Sequence, residues 1–361
     1  MKYPKDKKIF LKVDWNIPSL TETDRIEQTI PTIQKLLKNK NTVIVATHWG
    51  RPNGKVDPDY STEKLIPVVA KLLKKSKLDA TIFFVDQVTN FEAARNTINS
   101  CGVNKSTIVI LENTRFLVDE QTKDIKKRKA LATKYASLAD EMVDEAFALS
   151  HRKEATNTEI KLLLGNQVGE EYQTEIEELD VLKNNPEKPY YVIMGGAKLE
   201  TKLPMMERLL PKVDRLFIGG QLVFTFLAAK GVWAHDSVVE ESFVQKAKKL
   251  LDKYTTKIVL AEVEYAQVDG KKVGVDVSVQ FIHKIAVACK SGGTIFWNGP
   301  MGWIEKGYVN GNQSLAYTLA TSDMYIVVGG GDTVGSISPE ILETFDFVST
   351  GGGATLEYLA S

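Results

Sequence analysis

Two lysines follow a glycine pair near the middle of the chain. An apolar run begins the stretch 189–202 and is followed by Gly195 and Gly196, and then by Lys198 and Lys202. An apolar run that ends in a glycine pair is typical of a buried strand that turns sharply into a helix. Backbone N–H groups at such a turn favour anions, as does the helix N-terminus, and two lysines would strengthen a preference for phosphate. The alternative is an ordinary strand–helix turn with surface lysines.

Pro204 constrains where the helix after this turn begins. Proline fits the first turn of a helix but not its interior, so the sequence predicts a regular helix from about Lys202 or Leu203. Lys198 would then lie in the turn itself, and the two lysines need not share a helical face.

Cationic side chains follow several strand-like runs in the first half of the chain. They are His48, Arg51, Arg115 and Arg152, with Arg25 close behind the first run. Gathered at one edge of a sheet they would repel each other unless an anion lay between them, and the planar fork of arginine suits carboxylate and phosphate. Asp14 and Asn16 are candidates to hydrogen-bond hydroxyls of the same ligand. Each arginine alone fits an ordinary surface position, so the prediction depends on their shared placement.

Glycine-rich loops recur after apolar runs in the second half. They lie at 195–196, 219–220, 298–302, 329–333 and 351–353. Glycine lets a backbone approach phosphate or a flat base closely, so five such loops predict a phosphate-bearing ligand, specifically a nucleotide. The chain contains neither GxxxxGK(S/T) nor GxGxxG, which excludes a P-loop and disfavours a dinucleotide-dependent dehydrogenase.

Two carboxylates near these loops are candidates for nucleotide or metal contacts. Asp332 follows three glycines and is the best metal candidate, because Mg²⁺ takes one or two carboxylates together with phosphate oxygens and water. Asp332 could also serve as a helix N-cap, which does not exclude the metal role. Glu305 follows the loop at 298–302 and is a candidate for ribose hydroxyls, or else a surface glutamate.

The elements that position these residues alternate between strand and helix. Strands are predicted at 9–13, 42–46, 81–85, 107–111, 190–194, 215–218, 293–297, 324–328 and 345–350. Alternation of this kind predicts parallel sheets with helices on both faces, and ligands lie beyond the carboxyl ends of such strands. A helix from 169 to 183 indicates a connector between two domains, or else one more helix of the first domain.

Composition limits the partners of the chain. Its 361 residues include 46 basic and 46 acidic side chains, and this balance argues against nucleic acid or an anionic membrane as the main partner. Cys101 and Cys289 match no metal or redox spacing, which favours a reducing cytoplasm. The N-terminal residues lack the apolar core of a signal peptide, and no apolar run approaches the ~18 residues of a membrane span. We therefore expect a cytoplasmic globular protein.

The motifs jointly resemble those of the phosphoglycerate kinase family, in the same order and over nearly the whole chain. They are VDWN at 13–16, HWGRP at 48–52, LENTRF at 111–116, DEAFALSHR at 144–152, GGAKLETK at 195–202, WNGPMG at 297–302, GGGDT at 329–333 and STGGGA at 349–354.

This resemblance implies an α/β protein with two Rossmann-like lobes. Each lobe would have a mainly parallel six-stranded sheet in a three-layer αβα arrangement, and a long helix would join the lobes around a central cleft. The implied division is a phosphoglycerate-binding domain (1–168), a connecting helix (169–185), a nucleotide-binding domain (186–345) and a segment returning toward the first lobe (346–361). The implied reaction is reversible transfer of a phosphoryl group between 1,3-bisphosphoglycerate and ADP in glycolysis and gluconeogenesis. Mg²⁺ would accompany the nucleotide, and a monomer is expected.

The resemblance also implies roles for individual residues. The implied phosphoglycerate site consists of Asp14, Asn16, Arg25, His48, Arg51, Arg115 and Arg152. The implied nucleotide site consists of Lys198, Lys202, Gly219, Gly274, Asn298, Glu305, Gly329, Gly330, Gly331, Asp332 and Thr333, with Asp332 on the metal. Charge on the transferring group would be stabilised by Arg25, Lys198, Gly352 and Gly353.

Several positions depart from the family pattern. The family usually has Asn-Asp at Asp144-Glu145, a second histidine near Glu154 and a third glycine at Gln221. The region 260–279 looks shortened, and the chain stops without the usual C-terminal extension. These departures motivate an alternative, a non-catalytic nucleotide- or phosphometabolite-binding homologue.

The implied chemistry needs no general base, because the acceptor is a carboxylate that is already ionised at neutral pH. Catalysis would then consist of positioning and charge neutralisation, with closure about the connector.

Overall fold

The chain folds as two units, each built on its own parallel sheet, and the boundary between them falls after Ile176. The computed structural model describes residues 2–101 and 106–361. Among these residues, no helix is both long enough and apolar enough to cross a membrane.

Runs of Val, Ile, Leu and Phe form the first sheet, because such side chains pack well on a sheet that is covered on both faces. Its strands are β1 (Lys8–Lys12), β2 (Thr42–Ala46), β3 (Thr81–Val85), β4 (Thr107–Leu111), β5 (Glu141–Asp144) and β6 (Gln167–Val168). Their order is β3-β4-β2-β1-β5-β6, and every neighbouring pair is parallel. The helices are α1 (Asp24–Glu27), α2 (Ile30–Lys38), α3 (Ile66–Lys75), α4 (Phe91–Ser100), α5 (Ile125–Ala136), α6 (Lys161–Leu164) and α7 (Glu170–Asn184).

Successive residues of β1 point into two different cores. Ile9 and Leu11 pack with side chains of α2 and α3, whereas Phe10 packs with side chains of α4 and α5. This alternation is the period of a strand, and it places helices on both faces of the sheet. The first unit therefore has the predicted three layers.

The second unit repeats this plan. Its strands are β7 (Tyr190–Met194), β8 (Arg215–Ile218), β9 (Ile258–Leu260), β10 (Val263–Val268), β11 (Lys271–Val277), β12 (Gly293–Asn298), β13 (Met324–Gly329) and β14 (Phe347–Ser349). Six of them form a parallel sheet in the order β14-β13-β12-β7-β8-β9, and β10 and β11 form an antiparallel hairpin. The helices are α8 (Leu199–Leu209), α9 (Leu222–Ala229), α10 (Glu241–Lys253), α11 (Val279–Cys289), α12 (Asn310–Ala320), α13 (Gly331–Val334), α14 (Pro339–Leu342) and α15 (Gly353–Ala360).

The predicted α/β class, with two mainly parallel six-stranded sheets and flanking helices, is confirmed. The hairpin of β10 and β11 has no counterpart among the predicted strands. The predicted domain limits stay a prediction: the unit boundary lies inside α7, within the proposed connector. Residues 346–361 belong to the second unit, where β14 pairs with β13.

The predicted start of the helix after the central glycine pair is wrong. The helix α8 begins at Leu199, and Pro204 lies inside it. The error arises because the side chain of the N-cap residue, Lys198, does not cap this helix. The Leu199 N–H donates instead to Glu240 Oε1 at 2.8 Å, a carboxylate 41 residues further along the chain. Lys198 occupies the N-cap position in an extended conformation, so it does lie in the turn.

Candidate active site

The central strands of the first sheet bring four loops to one edge. β4, β2, β1 and β5 are neighbours and all parallel, so the residues after them share the carboxyl edge of the sheet. Hydrogen bonds join these loops: the Trp15 N–H donates to Thr47 Oγ1 at 3.0 Å, and the Gly50 N–H donates to Asn16 Oδ1 at 2.9 Å. The loop after β1 is thereby fixed against the loop after β2.

Asp14 is the carboxylate at the centre of this edge. Arg25 Nη1 donates to Asp14 Oδ2 at 2.5 Å, and His48 Nδ1 lies 3.9 Å from Asp14 Oδ1. The His48 ring is 1% exposed, and burial is the main cause that holds its pKa well below the ordinary range. The positive charges of Arg115, Lys12, Arg152 and Arg25 lower it further. The His48 ring is therefore neutral near pH 7.

The arginines also act on one another. Burial lowers the pKa of Arg152, and the nearby charges of Arg115 and Arg51 lower it further, while Glu154 and Asp14 raise it. Electrostatic effects of this kind require short separations, so Arg115 and Arg51 lie near Arg152, and Arg115, Arg152 and Arg25 lie near His48. An anion placed among them would relieve their repulsion.

A buried network behind this cluster was not predicted from the sequence. Lys12, at the end of β1, is fully buried, and its Nζ donates to Thr156 Oγ1 at 2.6 Å. The same Nζ lies 3.9 Å from Glu120 Oε1 and 3.8 Å from Glu154 Oε2. Burial is the main cause that raises the pKa of Glu120, to about 7. The only signal in the sequence is Lys12 within the otherwise apolar run predicted as a strand at 9–13.

In the second unit, three glycine loops converge after β7, β8 and β12. The Gly195 N–H donates to Asn298 O at 2.9 Å, and the Gly220 N–H donates to Met301 O at 3.1 Å. Gly299 has φ +96°, and a Cβ there would lie 2.2 Å from Gly195 O. Only glycine permits this approach of two backbones.

Lys202 reaches back from α8 under these loops. Its Nζ donates to the carbonyl of Gly195 and lies 3.4 Å from Asn298 O. Burial lowers the pKa of Lys202 to about 8, and the charge of Asp332 acts in the opposite direction. Lys202 and Asp332 are therefore close enough to influence each other, whereas Lys198 is exposed at the turn.

Asn298 and Thr333 lie behind the loops. Asn298 Nδ2 donates to Gly329 O at 2.8 Å, and the Gly299 N–H donates to Thr333 Oγ1 at 2.7 Å. These bonds join the end of β12 to the end of β13, with Gly330 as the N-cap of α13 at φ +104°. Gly331 and Asp332 are exposed on the first turn of α13.

A cavity of about 260 Å³ opens beside these loops. Of the predicted nucleotide residues, Gly274, Glu305 and Asp332 line it. Gly219 is buried, and a Cβ there would lie 2.6 Å from Met301 Sδ, so its neighbour Gly220 faces the cavity instead. The apolar lining was missed by sequence reasoning and includes Phe224, Val238, Val263, Val273, Val277 and Trp303.

The last glycine loop leads from β14 into α15. Gly352 is the N-cap of α15 with φ +55°, and Gly353 is exposed as its first helical residue. Because β14 is separated from β12 by β13, this loop lies two strands away from the loop containing Asn298.

The donor set suits a magnesium ion that arrives with a nucleotide. Within residues 2–101 and 106–361 no cluster of three or more His, Cys, Asp or Glu side chains is arranged to hold a metal. Asp332 is a single exposed carboxylate at the rim of the cavity, and Mg²⁺ commonly takes one or two carboxylates with phosphate oxygens completing its shell.

Comparison with known proteins shows that one family matches nearly the whole chain. A family model described as "Phosphoglycerate kinase" matches residues 3–361. A phosphoglycerate kinase from Salinispora arenicola is 35% identical over 378 residues, covering 98% of this chain and 93% of the relative. One from Coprothermobacter proteolyticus is 35% identical over 380 residues, with the same coverage.

Two solved structures are also similar. The structure of phosphoglycerate kinase from Coxiella burnetii superimposes with a TM-score of 0.80 at 29% identity, covering 99% of this chain and 94% of the other. The crystal structure of phosphoglycerate kinase from Pyrococcus horikoshii OT3 gives a TM-score of 0.83 at 26% identity, with the same coverage.

Proposed function

The chain belongs to the phosphoglycerate kinase family, and from that premise we propose how its two units divide the reaction. The family activity is phosphotransferase chemistry: a phosphoryl group moves between 1,3-bisphosphoglycerate and ADP, giving 3-phosphoglycerate and ATP. None of the comparisons points to the non-catalytic alternative.

We assign phosphoglycerate to the first unit. The observation that supports this assignment is the surroundings of Asp14: Arg25 Nη1 donates to its Oδ2 at 2.5 Å, and the buried His48 ring lies 3.9 Å from its Oδ1. The charges of Arg115 and Arg152 also lower the pKa of His48, so these arginines are near the same point. Arginine offers two parallel charge-assisted hydrogen bonds to a phosphate. In this proposal Arg51, Arg115 and Arg152 hold the phosphate that is not transferred, while Asp14 and Asn16 contact hydroxyls.

We assign the nucleotide to the second unit. The apolar cavity beside Gly274 offers a surface for a flat base, and the converging glycine loops with Lys202 offer donors for phosphates. Asp332 would hold Mg²⁺ together with phosphate oxygens, and the bound ion would neutralise part of their charge. Glu305, at the rim of the cavity, is within the lining that a ribose would contact.

The transfer step forms one bond and breaks one. In the direction of 1,3-bisphosphoglycerate formation, a carboxylate oxygen of 3-phosphoglycerate bonds to the γ-phosphorus of ATP as the bond to the bridging oxygen breaks and ADP leaves. No proton is removed from the acceptor, so the protein contributes positioning and charge stabilisation. We propose Arg25, Lys198 and the amides of Gly352 and Gly353 for that stabilisation. Because the acceptor and nucleotide bind to different units in this scheme, turnover would involve hinge closure.

A coupled assay tests the function directly. ATP formed from 1,3-bisphosphoglycerate and MgADP should depend on both substrates and stop when Mg²⁺ is chelated. Binding of 3-phosphoglycerate or MgADP without turnover would instead favour a binding protein.

Compaction in small-angle scattering when 3-phosphoglycerate and MgADP are both present would support closure, and an unchanged profile would contradict it. A cytoplasmic location and a monomeric state complete the proposal, the latter checked by the mass in light scattering.

A further inference from the structure

Glu154 is a buried carboxylate that holds one of the site arginines. Glu154 is 1% exposed, and its Oε1 accepts from Arg115 Nη2 at 2.9 Å and from Gln121 Nε2 at 2.8 Å. Arg115 is itself 6% exposed, and its Nη1 donates to the carbonyl oxygen of Gly50 at 3.3 Å. The guanidinium is therefore held at both terminal nitrogens, by the loop after β2 and by Glu154.

The same carboxylate faces other cations of the cluster. Glu154 Oε2 lies 3.8 Å from Lys12 Nζ, and the charge of Glu154 opposes the depression of the Arg152 pKa. Burial raises the pKa of Glu154, but the charges of Lys12 and Arg115 and its hydrogen bonds together lower that pKa by more. The net shift is downward, so the carboxylate is ionised at neutral pH. Glu154 thus supplies negative charge to the cluster when no substrate is bound.

We propose that Glu154 is a positioning residue for the phosphoglycerate site, which fixes the Arg115 guanidinium in the orientation that receives the substrate phosphate. This inference rests on the proposed function, because it takes phosphoglycerate as the ligand of the cluster. Arg115 is a long side chain with several rotatable bonds, and holding it before binding removes an ordering cost from the binding step. A rigid planar fork also loses its two-point contact when it rotates, so orientation matters more here than charge alone.

Glu120 provides a matched control in the same network. It is fully buried, its Oε1 accepts from Thr156 Oγ1 and lies 3.9 Å from Lys12 Nζ, and within the part of the chain that the structure describes neither of its oxygens is hydrogen-bonded or ion-paired to Arg115. A structural effect of disturbing the buried charges should appear at Glu120 as well as at Glu154. An effect transmitted through Arg115 should appear at Glu154 alone.

Two substitutions separate position from charge. Glu154→Asp keeps the charge but shortens the side chain by one methylene, which withdraws the carboxylate from Arg115. Glu154→Gln keeps the length and an acceptor oxygen but removes the charge. By calorimetric titration with 3-phosphoglycerate we expect the Kd to rise about tenfold for Glu154→Asp and to stay within about threefold for Glu154→Gln and for the matched control Glu120→Asp. The Kd for MgADP should not change in any of them.

A double-mutant cycle tests the route. In an Arg115→Ala background, Glu154→Asp should have less than about a twofold further effect on the Kd for 3-phosphoglycerate, because its partner has already been removed. A further tenfold loss in that background would overturn the inference. So would an unchanged Kd for Glu154→Asp, or equal losses for Glu154→Asp and Glu154→Gln.

Thermal melting identifies variants that fail to fold. If Glu154→Asp does not fold, Glu154→Ala takes its place: a tenfold loss there with retained affinity in Glu154→Gln supports positioning by the acceptor oxygen, and an equal loss in both or no loss in either contradicts it. A wild-type chain that does not bind 3-phosphoglycerate contradicts the proposed function and this inference together. A binding wild type with insensitive variants contradicts this inference alone.

Discussion

The two candidate sites both lie at the carboxyl ends of parallel strands, but they consist of different chemical groups. In the first unit the proposed site consists of charged side chains: buried or half-buried cations are held against Asp14 and Glu154. In the second unit the proposed site consists of backbone and apolar surface: glycine loops approach within hydrogen-bond distance of each other beside a cavity lined by Phe224 and Trp303.

This difference follows from what each ligand offers. A small, highly charged phosphoglycerate presents little apolar surface, so it must be bound by charges, and these need built-in counter-charges to coexist before binding. A nucleotide presents a flat base as well as phosphates, so part of its affinity comes from apolar contact. We therefore expect removal of a cation that contacts the ligand in the first unit to act through charge, and most substitutions in the second unit to act through shape.

Lys198→Ala should have the largest effect and marks an exception to the comparison, a charge that matters in the second unit. If Lys198 stabilises the transferring phosphoryl group, kcat should fall on the order of a hundredfold to a thousandfold while the Kd for MgADP changes little. Steady-state kinetics with calorimetry measures both. Lys249→Ala, an exposed lysine on α10, is the control. An intact kcat in Lys198→Ala would remove this residue from the catalytic group.

Arg152→Ala tests the charge-based site. We expect the KM for 3-phosphoglycerate to rise about thirtyfold, equivalent to roughly 2 kcal/mol, because a charge-assisted contact to phosphate is lost. The KM for MgATP should stay the same. Arg95→Ala, an exposed arginine on α4, should change neither constant. A similar rise in both constants would mean that the first unit does not act on phosphoglycerate alone.

The sequence predicts the first site better than the second, for a physical reason. Charged residues directly after central parallel strands must share one edge, so the placement of His48 and Arg115 follows from the strand pattern. The positions of their counter-charges do not follow from it, because Glu154 and Glu120 lie in or beside short helical turns outside the sheet, and their partners are set by tertiary packing. The lining of the cavity is harder still, since Val263 and Gly274 come from a hairpin with mixed polar and apolar residues. The predicted start of α8 is wrong for the same reason that the counter-charges were not predicted: the residue that caps this helix, Glu240, comes from a distant part of the chain.

Lys202 gives the nucleotide site a pH dependence. Its pKa is lowered to about 8, mainly by burial, and bound phosphates favour its charged form. Above pH 8 binding must therefore take up a proton, so the affinity for MgADP should fall by up to about tenfold per pH unit, and it should be flat below pH 8. Calorimetry between pH 7 and 9.5 measures this slope.

Lys202→Met is the control for that slope. It should bind MgADP more weakly but without the dependence above pH 8. In the ligand-free wild type the unfolded state binds more protons than the folded state between about pH 8 and 10.5, so the free energy of unfolding should rise with pH there. A wild-type affinity that does not change above pH 8 would place the phosphates away from Lys202.

Gly274→Ala should have the smallest effect and tests whether shape governs the second site. A Cβ at Gly274 would lie 2.4 Å from Phe224 Cζ and 2.7 Å from Val263 Cγ1, so two side chains that line the cavity must shift to admit one methyl group. We expect the KM for MgADP to rise several-fold, in keeping with the cost of overpacking, and the KM for 1,3-bisphosphoglycerate to stay the same. Pyrophosphate, which has phosphates but no base, should inhibit the wild type and Gly274→Ala equally. A matching loss of pyrophosphate inhibition would show that the methyl group disturbs the phosphate loops, and the cavity would then not be the place where the base binds.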